Sequence, residues 1–262
     1  MANTLYPNFV LESKLTDLLN TKMQTKSFMT VDTSLASEPG MIKKINKYTY
    51  TNESGVEKLA KGAKNTRRGA VSYTQASYEV KLAQQVFDYQ DEDVMQDPIV
   101  IDMGMEGAST VMVNEFNKEY FAELAKASAT HEYSNALSYD AVVDGIAKMN
   151  IEDEAGLFLI IGTGLKAEIR KDTDFKASRL GEILYNGQIG DICGVPVVVS
   201  KLCPADTAYL ATKEAVTCFV KKDSEVEQAR DAETRTNTVI MRKVNLIALT
   251  DETKVVKLTK QA

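Results

Sequence analysis

The sequence predicts an α+β fold, and the prediction rests on three features of the 262-residue chain. Helix-like and strand-like segments are mixed without the strict strand–helix alternation of a parallel α/β fold. A stretch of about 31 residues has helical periodicity and no internal proline, whereas the average globular helix has about 11–12 residues. A long pair of strand-like segments, joined by a polar connection, precedes that stretch.

The first elements along the chain are a helix and a long hairpin. Leucines at helical spacing predict an amphipathic helix or helix-bearing arm at residues 8–23, and Pro39-Gly40 predicts a turn after it. The segment 41–51 is rich in Ile, Tyr and Thr, and apolar and polar residues alternate in 70–87, so both are expected to be strands. They would form one hairpin with a mobile tip of about 18 residues. The inward residues expected in the second strand are Ala76, Tyr78, Val80 and Leu82.

Charge is distributed unevenly over the hairpin and the segment after it. Residues 41–71 carry eight Lys/Arg and two Glu, and residues 72–106 carry eight Asp/Glu and one Lys, in a chain of net charge −6. A two-stranded hairpin is marginal alone in water, so it needs a partner surface. We expect the basic tip to contact an acidic surface of another copy; a solvated loop is the alternative. The expected contact residues are Lys58, Lys61, Lys64, Arg67, Arg68, Asp88, Asp91, Glu92, Asp93 and the neighbouring Asp97.

The long helix is expected at residues 98–128. Asp97 is predicted as its N-cap and Pro98 as its first helical residue. At 1.5 Å per residue the helix would span about 46 Å, and Gly104 and Gly107 are expected to weaken its first turns. A stripe at helical spacing predicts its buried face. The residues of that stripe are Ile101, Met105, Ala108, Met112, Phe116, Tyr120 and Leu124.

The second half of the chain is predicted to mix two helices with several strands. Ser138 is the expected N-cap of the first helix, and the segment 226–235 is polar, without a strand pattern of its own; the family resemblance described below implies long strands over Val226–Leu249. The expected helices are 138–149 and 165–171. The expected strands are 156–162, 189–193, 195–199, 208–210, 216–220, 238–249 and 254–258.

One motif indicates nucleotide binding when it is considered alone. The run from Gly162 through Gly164 to Ala167 matches G-x-G-x-x-A between a strand and a helix, and Glu182 lies where a ribose-binding carboxylate would be expected. The polar segment after it is not a second parallel strand, and a Rossmann domain usually begins with this unit. A plain strand–turn–helix is therefore the favoured interpretation.

The remaining inventory predicts neither an enzyme nor a metal or cofactor site. His131 is the only histidine, and the three cysteines lack C-x-x-C spacing. Glu115, Glu119 and Glu123 share one helix face, which could serve acid–base chemistry, but a solvated or subunit-facing charge stripe is the favoured interpretation. No Ser or Cys nucleophile motif is present.

Composition excludes further classes of function. The pI near 5.1 argues against nucleic acid as a bulk partner. No apolar run approaches the about 20 residues of a membrane-spanning helix, and Met1–Pro7 does not resemble a secretory signal. Three widely spaced cysteines predict reduced thiols in a cytosolic setting.

The order of these elements resembles the major capsid proteins of tailed bacteriophages, which share the Hong Kong ninety-seven type fold with encapsulins. The resemblance covers nearly the whole chain: an N-terminal arm, a basic hairpin, a strand ending at Phe87–Asp93, a long helix after Asp97-Pro98, and a mixed domain. Its most specific segment is Ile189–Ser200, Ile-Gly-Asp-Ile-Cys-Gly-Val-Pro-Val-Val-Val-Ser, which is similar to the family's G-x-x-x-G-x-P-V hairpin.

The resemblance implies a division into four parts and a set of partners. Pentamers and hexamers would form around an axial domain, with each extended hairpin, the E-loop, lying over a neighbour. A separate scaffold protein and a portal are expected, a decoration protein is left open, and DNA would be enclosed without sequence-specific binding. The implied parts are an N-terminal arm (1–34), the E-loop (35–85), a peripheral domain with the spine helix (86–136 and 223–245) and an axial domain (137–222 and 246–262).

The expected function is therefore structural. The chain would self-assemble into the icosahedral shell that encloses phage DNA, in a virion assembled in the host bacterial cytoplasm. No residue pair is assigned to a covalent Lys–Asn cross-link. Two alternatives remain: an encapsulin-like compartment that encloses a cargo enzyme, and a nucleotide-binding enzyme that uses Gly162 and Gly164.

Overall fold

The computed structural model describes residues 8–51, 55–152, 154–173 and 190–261, and in this part of the chain helices and strands are mixed. The α+β class predicted from the sequence is confirmed. The helices are α1 (Asn8–Lys22), α2 (Asp91–Gln96), α3 (Val100–Leu124), α4 (Tyr139–Met149) and α5 (Thr163–Lys171). The strands are β1 (Thr30–Asp32), β2 (Ile42–Thr51), β3 (Ala70–Glu79), β4 (Lys81–Gln90), β5 (Thr130–Tyr133), β6 (Leu157–Gly162), β7 (Asp191–Ile192), β8 (Val195–Ser200), β9 (Thr207–Thr212), β10 (Val216–Asp231), β11 (Thr236–Leu249) and β12 (Val255–Lys260).

A four-stranded sheet in the order β1–β10–β11–β4 packs on α3. Strand β4 pairs antiparallel with β11 over its whole length, from Lys81 opposite Asn245 to Gln90 opposite Thr236. All seven residues of the predicted apolar stripe of α3 are buried, so that prediction is confirmed. Helix α1 lies beside α3, and two ion pairs, Lys14–Asp102 and Lys22–Glu106, join the helices.

A six-stranded sheet in the order β5–β12–β9–β6–β8–β7 lies between two apolar layers. On one face, Leu159 and Leu210 pack with α4 and α5. On the other face, Ile160 and Tyr209 belong to the same core as α3, and the rings of Phe121 and Tyr209 are 6.2 Å apart between centroids. The C-terminal end of α3 therefore connects the two sheets through one continuous core.

The hairpin formed by β2 and β3 is a separate two-stranded sheet. Its register runs without a shift from Ile42 opposite Glu79 to Thr51 opposite Ala70. Near its root, Lys47 pairs with Glu252, and the Lys43 ammonium lies 5.3 Å from the centroid of the Phe219 ring. These contacts attach one face of the hairpin to its own subunit.

The hairpin is shorter than the sequence predicted, because the segment 70–87 is not one strand. The backbone N–H of Val80 donates to the Met41 carbonyl over 2.7 Å and closes the ladder, after which the chain enters the four-stranded sheet as β4. Inward residues are Ala76, Tyr78 and Val80 before this point but Ala83, Gln85, Phe87 and Tyr89 after it. Leu82, predicted to point inward, is 50% exposed. The alternation shifts by one residue because each sheet has its own buried side.

The long helix also starts later and ends earlier than predicted. It spans 25 residues, and the Asp97 carboxylate accepts a hydrogen bond from the Ile99 N–H over 3.0 Å rather than capping a helix that begins at Pro98. Residues 91–96 form α2, although the strand was predicted to continue to Asp93. The predicted helices near 8–23, 138–149 and 165–171 are confirmed within one or two residues at most ends.

The short strands β1 and β5 were not predicted, and β10 is longer than its residue pattern predicted. Strand β10 continues through Asp231 instead of ending at Val220, because pairing with β11 holds a polar segment that has no strand pattern of its own. His131 lies in β5, an edge strand that the sequence did not predict. The predicted division into arm, E-loop, peripheral and axial domains stays a prediction.

Gly104 allows β4 to approach α3 closely. A Cβ atom at this position would lie no more than 3.0 Å from three atoms of the Phe87 ring, whereas a Cβ at Gly107 would meet no atom within 4 Å. The two glycines therefore occupy the same helix for different reasons. Gly104 is required by packing, and Gly107 lies on an open face.

We expect Gly104→Ala to lower the free energy of unfolding by about 1–3 kcal/mol, because the methyl group overpacks against Phe87. The matched control, Gly107→Ala, should raise it by about 0.5–1 kcal/mol through helix propensity alone. Urea unfolding of the two soluble variants measures both values. Equal effects in the two variants would contradict this account of α3.

Candidate subunit interface

The tip of the hairpin is exposed, and its backbone is ordered by a short polar network. The Glu57 carboxylate accepts hydrogen bonds from the backbone N–H and the hydroxyl of Thr66, at 2.9 and 3.1 Å. These bonds lower the pKa of Glu57. The Arg67 guanidinium donates to the Val56 carbonyl over 3.0 Å, so both sides of the tip are held together at this point.

The five cations predicted as contact residues are all exposed on this tip. Among the described residues, no Asp or Glu lies within ion-pair distance of them. Their charges are therefore uncompensated within the described part of the subunit. The residues are Lys58, Lys61, Lys64, Arg67 and Arg68.

The acidic residues predicted to receive the tip divide into two groups. Asp91 is buried, accepting hydrogen bonds from Arg230 over 2.7 Å and from the buried Asn237 amide over 2.6 Å. Glu92 pairs with Arg235 over 2.6 Å. These two carboxylates stabilise the junction of α2 with the turn between β10 and β11, an internal role that the sequence analysis did not predict.

The second group of carboxylates is exposed and has no cation partner among the described residues. Asp88 is on the outer face of β4, and Asp93 closes a capping box with Gln90 at the start of α2. Asp97 lies in the short connection between α2 and α3. Within the described chain, no hydrogen bond or ion pair joins these carboxylates to the tip, so the subunit does not satisfy the two charge clusters with each other.

The hairpin also presents an aromatic face that the sequence analysis missed. Tyr48 lies opposite Tyr73, and Tyr50 lies opposite Val71; all four are 65–68% exposed. The Ile, Tyr and Thr content of residues 41–51 predicted a strand there. It could not show which face of the hairpin lies against the subunit, because that depends on contacts such as Lys47–Glu252.

An exposed apolar stripe runs from the N-cap of α3 along its N-terminal half; we call it the α3 stripe and define it as Ile99, Met103 and Val111. Their exposed fractions are 57%, 61% and 53%. Ile99 and Met103 are one helical turn apart, since the Met103 N–H donates to the Ile99 carbonyl over 3.0 Å. Gly107, which faces open space, lies between Met103 and Val111 in the same series of four-residue steps.

The predicted glutamate row on α3 has a structural explanation. Glu123 is buried and accepts a hydrogen bond from the Leu249 N–H over 3.3 Å, so it is not a free acid–base group. Glu119 lines a groove of about 340 Å³ at the hairpin root. Shielding by the groove walls raises its pKa, as do the flanking carboxylates of Glu115 and Glu123.

The other sequence candidates do not form a catalytic site in the described residues. Gly162 and Gly164 lie at the β6–α5 junction, where the favoured strand–turn–helix is confirmed, and Glu182 lies outside the described residues. No cluster of three metal-ligating side chains occurs in the described ranges, and none of the described helices could span a bilayer. Cys203 and Cys218 are buried free thiols, and burial raises the pKa of Cys203 to about 12.

Comparison with known proteins gives one consistent family. Residues 76–258 match the family model for phage capsid protein. The major capsid protein of Staphylococcus phage phiMR11 is 27% identical over 272 residues, covering 99% of this chain and 94% of that protein. The cyanophage P-SCSP1u capsid is 14% identical with a TM-score of 0.69, over 89% of this chain and 86% of that chain. The capsid of a native GTA particle is 12% identical with a TM-score of 0.69, over 100% and 94%.

Asp91→Ala is expected to lower the free energy of unfolding by about 2–3 kcal/mol, because it leaves the buried Asn237 amide without its acceptor. The control Asp88→Ala removes an exposed carboxylate of the same segment and should change stability by no more than about 0.5 kcal/mol. Chemical denaturation of the soluble subunit measures both. A neutral Asp91→Ala would contradict the internal role.

Glu119→Gln should stabilise the subunit at neutral pH. Since the pKa of Glu119 is raised on folding, the carboxyl favours the fold below its ordinary pKa of 4.5, and this contribution is lost as the pH rises through the raised value. The amide mimics the neutral form, so the melting temperature should exceed that of wild type at pH 7 and converge with it near pH 4. Glu132→Gln, on the exposed face of β5 and outside the groove, serves as the matched control.

Proposed function

Because the chain belongs to the phage capsid protein family, we propose that neighbouring copies are joined by the basic hairpin tip of one and the acidic segment of the next. The protein is a major capsid protein with the Hong Kong ninety-seven type fold, a structural component of the virion and not an enzyme. Its capsid homologues assemble into shells made of many copies of one protein. The proposal concerns how this chain makes such a shell.

The observation that supports the proposal is the charge left unpaired on both sides. Five cations of the tip and the carboxylates of Asp88, Asp93 and Asp97 lack ion-pair partners within the described subunit. Opposite charges placed on two exposed surfaces steer association and fix its register more than they add affinity. Each contact is modest, but a shell repeats it on every copy, and multivalency multiplies the effect.

The acidic side of this contact centres on Asp88, Asp93 and Asp97 rather than on the whole acidic segment. Asp91 and Glu92 are instead paired within the subunit, with Arg230 and Arg235 respectively. The Asp91–Arg230 and Glu92–Arg235 pairs thus neutralise two negative and two positive charges within the subunit. The three exposed carboxylates remain to receive the tip.

Further parts of the proposal follow from the family. The four-part division implied by the resemblance would place pentamers and hexamers around the axial domain. A separate scaffold protein, a portal and enclosed DNA without sequence-specific contacts would complete the particle, which would assemble in the host cytoplasm. The contents of purified particles distinguish a DNA-filled capsid from an encapsulin-like compartment, which would enclose a protein cargo.

Charge reversal of the tip tests the electrostatic contact. Lys58→Glu, Lys61→Glu, Lys64→Glu and Arg68→Glu together should raise the protein concentration needed for particle formation at least about tenfold, while the melting temperature of the subunit stays unchanged. Electron microscopy of a dilution series measures the threshold. Wild-type assembly should also weaken as salt rises from about 50 to 500 mM, because salt screens exposed charges.

A matched control distinguishes the effect of reversing charges at the tip from the effect of changing the net charge of the protein. Lys148, Lys171, Lys201 and Lys213 are four exposed lysines outside the hairpin, and reversing them gives the same change in net charge. We expect this variant to assemble at nearly the wild-type threshold. Equal loss in both variants, or normal assembly of the tip variant, would show that the tip is not the electrostatic contact.

A further inference from the structure

Two polar residues interrupt the buried face of β11. Lys243 and Asn245 occupy the middle positions of the face that this strand turns toward α3. A polar group in a core costs free energy unless it is satisfied, so two of them at the centre of a core face indicate a role other than packing. The flanking positions of the same face hold apolar core residues that are at most 3% exposed: Val239, Met241, Ile247 and Leu249.

These two residues line a cavity between the four-stranded sheet and the N-terminal elements that cover it. The cavity has a volume of about 210 Å³ and is bounded by β10, β11, α1 and the residues after α1. An engineered cavity of about 150 Å³ is large enough to bind benzene, so this one can take a body of about eight to ten non-hydrogen atoms. Its apolar walls are formed by Leu19, Met23, Met29, Phe116 and Val220.

The charged residues of the cavity lining carry a net positive charge. The Lys243 side chain is only 15% exposed, and its ammonium lies 3.0 Å from the carboxylate of Asp223, which is largely exposed. Lys26 lines the same cavity from its exposed side. Two lysines and one carboxylate leave one positive charge, and an ammonium group only donates hydrogen bonds. The cavity therefore favours a ligand that brings a negative charge and acceptor atoms.

Asn245 adds a polar group that the subunit barely satisfies. The residue is 6% exposed. Among the described residues, the hydrogen-bond partner of its side-chain amide is the Cys218 sulfur, at 3.9 Å. Sulfur is a weak acceptor, and an amide group can make up to four hydrogen bonds. A buried amide beside an open space is thus available to a ligand in that space.

A bulge in β10 shapes the rim of the cavity. The register of β10 against β11 shifts between Val220 and Lys222 and again between Lys222 and Glu225. Inside this bulge, Asp223 lines the cavity, and the buried Ser224 hydroxyl forms a hydrogen bond with Thr16 of α1. Bulges re-aim side chains and are over-represented next to functional sites. Here the bulge both supplies a charged group and holds α1 over the cavity.

We propose that this cavity binds a small anionic amphiphile, a compact apolar molecule with a carboxylate head. The apolar body would fill the space beside Leu19, Met29 and Phe116, and the carboxylate would accept hydrogen bonds from Lys243 and Asn245. Hydrogen bonds to an ionised acceptor are the stronger kind. A bound acid would contact α1 and the sheet together, and so hold the N-terminal elements on the subunit. This inference is independent of the proposed contact between copies.

Three ligands with the same apolar chain and different heads test the class of ligand. Octanoate, 1-octanol and octylamine are titrated into the soluble subunit by isothermal calorimetry. We expect saturable binding of octanoate, at least about tenfold tighter than that of the other two, since one charge-assisted hydrogen bond has about this effect. Octanoate should also raise the melting temperature of the subunit. No saturable binding of octanoate, or equal affinity for the three ligands, would overturn the proposal.

Two variants test the residues assigned to the carboxylate head. Lys243→Met should weaken octanoate binding at least about tenfold and leave the affinity for 1-octanol unchanged. Asn245→Leu places an apolar group in the core, so it should weaken octanoate binding without lowering the melting temperature. The matched control is Lys222→Met, because Lys222 also pairs with a carboxylate on β10, that of Glu225 at 2.8 Å, but does not line the cavity. Wild-type affinity for octanoate in either folded cavity variant would contradict the assignment.

The thiol of Cys218 locates the bound ligand. Cys218 lines the cavity, whereas Cys203 is also buried but does not line it. At an octanoate concentration ten times its dissociation constant, the reaction of Cys218 with iodoacetamide should slow about tenfold, because the ligand occupies the space that the reagent needs. The rate at Cys203 should stay the same, and mass spectrometry of the peptides measures both. An unchanged rate at Cys218, or equal slowing at both thiols, would overturn the location of the site.

Discussion

The buried face of α3 is the constraint on which the rest of the structure depends. The four-stranded sheet and α1 both pack on this face. The six-stranded sheet contacts it through the rings of Phe121 and Tyr209. Because two sheets and a helix use the same stripe, its position fixes theirs. The α3 stripe, on the other side of the same helix, is exposed in the described part of the subunit, so a partner could cover it without loss of internal packing.

The hairpin obeys a different constraint. It contributes little to the core, and only the face near its root is attached to the subunit, by Lys43, Lys47 and Val80. A two-stranded sheet with one attached face is poorly stabilised in isolation. We therefore expect the contacts that join neighbouring copies also to stabilise the hairpin.

The sequence predicted the elements whose stabilisation is local. The stripe of α3, the Ser138 cap and the buried strand at 157–162 each carry a strong period or a specific residue. The residue pattern alone did not predict β10 beyond Val220, which only the family resemblance implied, and it did not predict β5, since neighbouring strands impose those conformations on polar residues. Asp91 was assigned to the surface because sequence position cannot reveal Arg230 and Asn237, which approach from about 140 residues away. The aromatic face was missed for the same reason, since only the fold decides which side of a strand is covered.

The unbroken register of β2 and β3 has a consequence for how such a protein can change. Lengthening or shortening the segment 52–69 does not change the pairing of Ile42 with Glu79. The tip can therefore vary in length and sequence while the same face of the hairpin stays against the subunit. A single residue inserted within either strand would turn Tyr48, Tyr50 or their partners toward the subunit and bring Lys and Thr outward. Insertions and deletions are thus tolerated at the tip of the hairpin but not within its strands. Related capsid proteins could therefore change the surface of the tip without changing which face of the hairpin lies against the subunit.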